Sequence, residues 1–154
     1  IPNVLSNYNN LKVYLIGGGP LEKKIKEKIN KLGLVKNVKI VGWVNHVKLP
    51  EWLNKMQLIV IPSYTEALPG IMLEAIYCGV PVLANNVGGI GDIIMDQQTG
   101  FLMTDNSPKS ISENIIKALE FNTEIITRDA YEKVVDEFGY NNILKKWEEA
   151  LDGK

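Results

Sequence analysis

Glu66-Ala-Leu-Pro-Gly-Ile-Met-Leu-Glu74 sets two carboxylates eight positions apart, with Ala75 and Gly79 following. A strand-like run, Leu58-Ile-Val-Ile61, precedes it, and a second, Val80-Pro-Val-Leu-Ala84, comes just after. Pro69 suits the first position of a helix, where its missing N–H is not needed and its fixed φ is already helical. Gly79, with Pro81 beyond, is a normal C-terminal stop. The spacing predicts a helix from Leu68 to Cys78, with Glu66 in the loop before it and Glu74 about one and a half turns inside. A strand, a helix and a second apolar strand in this order point to a parallel α/β unit.

The N–H groups of Gly70 and Ile71 lack intrahelical acceptors, and with the helix dipole they make an anion site. A carboxylate at Glu66 would repel a diphosphate there. The placement makes sense if Glu66 holds neutral hydroxyls of a sugar while the amides take the phosphates. Glu74 can then accept from two adjacent hydroxyls, as on a ribose. The layout suits a nucleotide-sugar. Two glutamates at this spacing also arise simply because acidic residues favour a helix N-terminus, so the flanking chain has to decide.

Working outward, Leu11-Lys-Val-Tyr-Leu-Ile16 reads as a buried strand and Gly17-Gly-Gly-Pro20 as the turn after it. Residues 21–32 form an amphipathic helix with Leu21, Ile25, Ile29 and Leu32 on one stripe. Lys23, Lys24, Lys26 and Lys28 alternate with Glu22 and Glu27, which is a solvated i,i+4 face and not a phosphate patch. Val38–Val41 is the next strand. A short helix over 49–56 carries Trp52 and Leu53 toward the sheet. Gly88-Gly-Ile-Gly91 opens a helical piece through Met95, and residues 100–103 form a last strand. Ser107 before Pro108 is an N-cap for a helix with Ile111, Ile115, Ile116 and Leu119 on one face. Two further helices follow, over 127–137 and 141–151. The fold class expected is α/β, a Rossmann-like parallel sheet with flanking helices and a helical C-terminal tail, in a single domain over 1–154. In such sheets ligands bind at the carboxyl ends of the strands. The loops at 17–20, 42–44, 62–66 and 85–89 all occupy such ends.

Composition excludes several alternatives. The 154 residues carry a formal net charge of −1, which gives no support for nonspecific nucleic-acid binding. One cysteine, Cys78, rules out an internal disulfide or a cysteine metal cluster and fits a reducing compartment. No apolar run reaches the roughly 20 residues that span a bilayer, and no signal peptide is expected from Ile1-Pro2-Asn3, which begins without a charged-then-apolar pattern and without an initiator Met. A third glycine in a dinucleotide motif would fall at position 22, which is Glu22, so a dehydrogenase is disfavoured. The phosphate-loop Gly-Lys-Ser/Thr ending is absent. His46, the one histidine, reads as a solvated loop residue. Trp43 and Trp52 read as core or base-flanking, because no basic interleaving makes them nucleic-acid platforms.

Taken in order, these segments resemble the C-terminal, donor-binding half of GT-B glycosyltransferases of the group 1 (GT4) type. Gly17-Gly-Gly-Pro20 resembles the family's G-x-G-P loop, and Val41-Gly-Trp-Val44 its Gly-aromatic-Val segment. Pro62-Ser63 and Glu66 to Glu74 resemble the Pro-Ser and Glu-x7-Glu motif. Gly79-Val-Pro-Val82 and Gly88-Gly89 complete the series, with Asp92 where a Glu is more usual. The resemblance covers about Leu11 to Phe101. It implies that Glu66 meets the transferred sugar, as the residue of the catalytic centre, and that Glu74 holds the ribose. Amides of Leu68, Gly70 and Ile71 would meet sugar and phosphate oxygens. The backbone at Val44 would meet the base, and Gly18 and Gly19 would let the chain approach the donor. It further implies a UDP-, GDP- or ADP-sugar donor, transfer with retention, and neither cofactor nor bound metal. A sugar or lipid-linked acceptor would be held by a separate N-terminal domain. The location expected is cytoplasmic, at most peripheral on the membrane's cytoplasmic face.

The family also places an Arg and a Lys before the strand at 11–16, and the ten residues upstream hold neither; the sole arginine is Arg128. The chain is therefore expected to be a fragment without the acceptor domain and the first strand–helix unit, inactive alone. Two missing charge-assisted contacts of roughly 1.5–3 kcal/mol each put its donor binding in the high-micromolar to millimolar range. A non-catalytic nucleotide-binding or interaction module on the same fold is the alternative, followed by a sugar-nucleotide epimerase or hydrolase.

Overall fold

The computed structural model describes residues 1–153. The chain divides into two compact units, one over Ile1–Trp52 and one from Leu53 onward.

The first unit opens with a one-turn helix, α1 (Pro2–Leu5), whose Val4 is fully buried. Then follow β1 (Val13–Ile16), α2 (Glu22–Lys31) and β2 (Val38–Gly42). The strands pair in parallel from Val13 opposite Val38 to Ile16 opposite Gly42, with one irregular step before Ile16. Asn37 fastens the approach to β1, its amide donating to the Leu11 carbonyl at 2.9 Å. Asn45 then caps a single 3-10 turn at His46–Lys48, its Oδ1 accepting from the Val47 amide at 3.0 Å. That turn leads into α3 (Leu49–Leu53). Trp52 meets Tyr14 of β1 edge-on, ring centroids 5.6 Å apart.

One expectation fails in this unit: β1 is not a buried strand, because Tyr14 and Leu15 are exposed and Val13 and Ile16 only half-buried. The apolar stripe of α2 is there, but no residue of α2 is buried, and Leu21, Ile25 and Leu32 are exposed. A 3.6-residue periodicity says which face is apolar, not whether anything covers it; two short strands supply little to cover it. Trp43 is 84% exposed, which removes the core reading for it and leaves the base-flanking one. His46 is exposed, as a loop residue should be.

The second unit carries β3 (Ile59–Ile61), α4 (Gly70–Tyr77), β4 (Val82–Asn85), α5 (Ile90–Ile93) and β5 (Phe101–Met103). Three helices close it: α6 (Pro108–Glu120), α7 (Glu124–Phe138) and α8 (Tyr140–Leu151). Its sheet runs β3-β4-β5, parallel throughout, with Ile59 opposite Val82 and Leu83 opposite Phe101. Val82, Leu83 and Ala84 are all buried. A central parallel strand is covered on both faces, which is why it reads as an unbroken apolar run and not as an alternation. Met72 and Ile76 of α4, Ile90 and Ile93 of α5, Phe101 and Met103 of β5 and Val134 of α7 complete the core around it. Ser107 caps α6 as expected, its hydroxyl accepting from the Ser110 amide at 3.1 Å, with Pro108 in the first turn. Strand–helix alternation on parallel sheets is the α/β architecture that the sequence implies.

Candidate functional site

α4 is built much as its sequence suggests, with one correction. Leu68 precedes a proline, which disfavours helical backbone for it, and Pro69 itself is extended, with ψ 119°. Pro69 is therefore the cap and not the first helical residue, and α4 starts at Gly70 and ends at Tyr77, inside the expected 68–78. The consequence for chemistry is small. Pro69 gives its carbonyl to the Met72 amide at 3.0 Å, and the Gly70 and Ile71 amides occupy the two positions where a helix offers no acceptor of its own. At the other end Gly79 takes φ +69°. The Gly79 amide donates to the Ile76 carbonyl at 2.9 Å and the Val80 amide to that of Ala75 at 2.9 Å. This is a Schellman ending, and only glycine enters it without strain. Val80 and Pro81 are used up in that ending, so β4 begins at Val82, later than the 80–84 run suggests.

Glu66 lies half-buried in the loop between β3 and α4, and Glu74 half-buried within α4. The Ser63 hydroxyl donates to Glu66 Oε1 at 2.7 Å. The Ser63 carbonyl in turn accepts from two side-chain amides, Asn85 Nδ2 at 3.2 Å and Asn106 Nδ2 at 3.1 Å. Ser63 follows β3, Asn85 ends β4 and Asn106 follows β5, so the carboxyl ends of three strands converge on one serine. Asn106 is set in place by its neighbours, because the Ser107 amide donates to Asp105 Oδ1 at 2.6 Å across it. The Ser107 hydroxyl, then its amide, hold the Asp105 carboxyl below the ordinary carboxylate range. A lowered carboxyl contributes stability above its unfolded value and loses it as pH falls through the folded one, so this turn weakens only in acid.

A second feature shapes the Glu66 loop. Gly88 has φ +55°, and a Cβ there would stand 1.7 Å from the Glu66 carbonyl oxygen; one on Gly89 would stand 2.7 Å from that of Ala67. The Gly89 amide donates to the Ala67 carbonyl at 2.6 Å. The two glycines after β4 let one backbone lie directly on another, and that contact fixes the height of the Glu66 loop.

In the first unit, Gly18 and Gly19 are exposed in the loop after β1, and Val44 is half-buried just after β2. The Gly17 amide donates to the Gly42 carbonyl at 2.8 Å and joins the two loops. Trp43 lies across this junction, and a Cβ on Gly18 would meet its Nε1 at 2.9 Å. The structure thus brings Gly18, Gly19 and Val44 together at one strand edge of the first unit. It brings Glu66, Leu68, Gly70, Ile71 and Glu74 together at another, in the second unit.

Residues that sequence reasoning missed are Asn85 and Asn106, and the part played by Ser63, which entered only as half of a motif. Nothing in local spacing signals hydrogen bonds across 22 and 43 residues. Arg128 is remote in use as well as in sequence: it pairs with Asp129 on α7 at 2.9 Å. Among the described residues, no three or more His, Cys, Asp or Glu side chains gather as a metal-binding group. No described helix is long and apolar enough to cross a membrane.

Known proteins resemble this chain in sequence and in fold. The chain is 30% identical over 140 residues to the uncharacterized glycosyltransferase MJ1178 of Methanocaldococcus jannaschii, a match that covers 90% of this chain and 38% of the relative. It is 31% identical over 148 residues to the capsular polysaccharide biosynthesis glycosyltransferase CapM of Staphylococcus aureus, covering 95% of this chain and again 38% of the relative. The chain therefore spans well under half the length of these relatives. Among solved structures, Anabaena HepE in complex with UDP superposes with a TM-score of 0.84 at 24% identity, over 94% of this chain and 41% of that one. The C-terminal domain of the group 1 glycosyl transferase LpcC from Francisella tularensis superposes with a TM-score of 0.78 at 22% identity, over 89% of this chain and 74% of that domain. Likenesses at such identities establish the fold, that of a GT-B C-terminal domain. The family model for glycosyl transferases group 1 matches residues 1–135, and with parallel sheets, glycine-rich strand ends and the Glu66 to Glu74 helix in that family's order, the chain belongs to the group 1 glycosyl transferases.

Proposed function

We propose that this chain is the donor-binding half of a longer, retaining glycosyltransferase that moves a hexosyl unit from a nucleotide-sugar to an acceptor held by another domain. The observation that carries this is the N-terminus of α4. Two amides without intrahelical acceptors, Gly70 and Ile71, stand between Glu66 on the loop and Glu74 one turn into the helix. A diphosphate is the anion that this end of a helix suits, and the carboxylates on either side take neutral hydroxyls.

On this reading Glu74 accepts from the ribose hydroxyls and Glu66 from the transferred sugar. The Leu68, Gly70 and Ile71 amides meet sugar and phosphate oxygens. Gly18 and Gly19 let the backbone approach the donor, and the backbone at Val44 meets the base. The leaving diphosphate is stabilised by amides and by cationic side chains outside these residues, without cofactor or bound metal. A uridine donor is favoured first, because HepE, whose fold this is, has been solved with UDP and with UDP-glucose. GDP- and ADP-sugars are the alternatives. CapM is named for capsular polysaccharide biosynthesis, which supports a glycan acceptor; a lipid-linked acceptor and a cytoplasmic place, at most peripheral on the membrane, are part of the same proposal.

Calorimetric titration of the full-length protein with UDP-glucose, GDP-mannose and ADP-glucose tests this. One of the three is expected to bind, and Glu66→Gln is expected to weaken it about tenfold, the net worth of one hydrogen bond to a charged acceptor. The matching nucleoside diphosphate should bind the variant as it binds the wild type. A protein that binds none of the three refutes the proposal.

A further inference from the structure

We propose that Ser63 is a positioning residue for Glu66, held to that task by the side-chain amides of Asn85 and Asn106; this rests on the donor reading above. A carboxylate in a loop has free rotation about its side-chain torsions and loses conformational entropy when a ligand fixes it. Here the Ser63 hydroxyl already occupies Glu66 Oε1 at 2.7 Å. An ionised carboxylate accepts through both oxygens, so the bond orients the group and leaves Oε2 as its principal acceptor for a sugar hydroxyl. Glu66 is then prepared to read one hydroxyl in a fixed direction instead of clasping two.

The hydroxyl of Ser63 is aimed only if its own backbone is still. The Ser63 carbonyl receives Asn85 Nδ2 at 3.2 Å and Asn106 Nδ2 at 3.1 Å, from the ends of two other strands. Asn106 Oδ1 is buried and has no hydrogen-bond partner among the described residues. Burying an acceptor unpaired lowers stability, and an alanine at 106 would avoid it. The position therefore keeps an amide at a cost to the fold, and the bond that its amide makes is the one to Ser63. Because two amides share that carbonyl, loss of one leaves the other in place. The effects should be graded: largest for Ser63, smaller for either asparagine, and large again for both asparagines together.

The experiment measures the ratio of affinities for UDP-glucose and UDP in the full-length protein, with the guanosine and adenosine pairs as replacements if the donor is one of those. UDP reports nucleotide binding, and the ratio isolates the sugar contacts that Glu66 supplies. Ser63→Ala is expected to lower this ratio about three- to tenfold, as for loss of one net hydrogen bond, with UDP affinity unchanged. In the Glu66→Gln background, Ser63→Ala should add little, because both changes remove one function. Should Ser63→Ala fail to fold, Asn106→Ala carries the same comparison, with a fall of about twofold while Asn85 remains. A ratio unchanged in these variants, or UDP and UDP-glucose weakened equally, overturns the positioning role. A wild type that binds no diphosphate and no sugar nucleotide defeats the donor reading first, and is told apart by that.

Discussion

Gly88→Ala is expected to destabilise the protein by roughly 2–5 kcal/mol, from a left-handed backbone that costs alanine about 1–2 kcal/mol and overpacking that costs about 1–3 kcal/mol. The φ of +55° supplies the first part, and the 1.7 Å approach of a Cβ to the Glu66 carbonyl oxygen supplies the second. That neighbour is backbone and has no rotamer to escape into. It is also tethered on both sides: the Gly89 amide holds the Ala67 carbonyl at 2.6 Å, and Ser63 holds the Glu66 side chain at 2.7 Å. The strain must therefore move the Glu66 loop, and sugar-nucleotide affinity should fall along with the urea midpoint. Gly19→Ala is the control for stability alone, because a Cβ there meets nothing within 4 Å; its unfolding free energy should stay within about 0.5 kcal/mol of wild type. Equal midpoints for Gly88→Ala and wild type would show that the close approach carries no weight.

Glu74→Ala is expected to cost at least about a hundredfold in affinity for the nucleotide and its sugar alike. Two hydroxyls accepted by one carboxylate are two charge-assisted bonds of roughly 1.5–3 kcal/mol each, and about 2.7 kcal/mol is a hundredfold. The fold should survive, because alanine is the best helix former and the Schellman ending at Gly79 does not use the Glu74 side chain. The contrast with Glu66→Gln is the informative part. One variant loses UDP and UDP-glucose together, the other only the sugar. A Glu74→Ala protein that keeps UDP affinity within threefold would remove the ribose role from Glu74.

Local chemistry made much of this legible in the sequence. Pro69 and Gly79 bracket α4 to within two residues at each end, because proline and glycine act on their own backbone and need no distant partner. The buried run at 82–84 declares a central parallel strand. What escaped depends on the fold as a whole. Leu21, Ile25 and Leu32 form a proper stripe, yet their exposure is decided by what lies opposite. Trp43 is apolar and large, and its position over Gly18 follows from the join between two loops. Gly88-Gly89 is visible as a turn signal, but its contact with the 66–67 backbone joins loops that follow different strands. Ser63, Asn85 and Asn106 are ordinary polar residues in loops. Only the parallel order β3-β4-β5 brings their strand ends together.

An amide-shift NMR titration of this chain with UDP-glucose, GDP-mannose and ADP-glucose, taken to millimolar ligand, tests the central claim most directly. With one of the three, shifts are expected at Gly70, Ile71 and Glu74 and at Gly18, Gly19 and Val44, and Glu74→Ala should abolish them. Silence at the α4 N-terminus with all three ligands, or shifts confined to other surfaces and indifferent to Glu74→Ala, would contradict it.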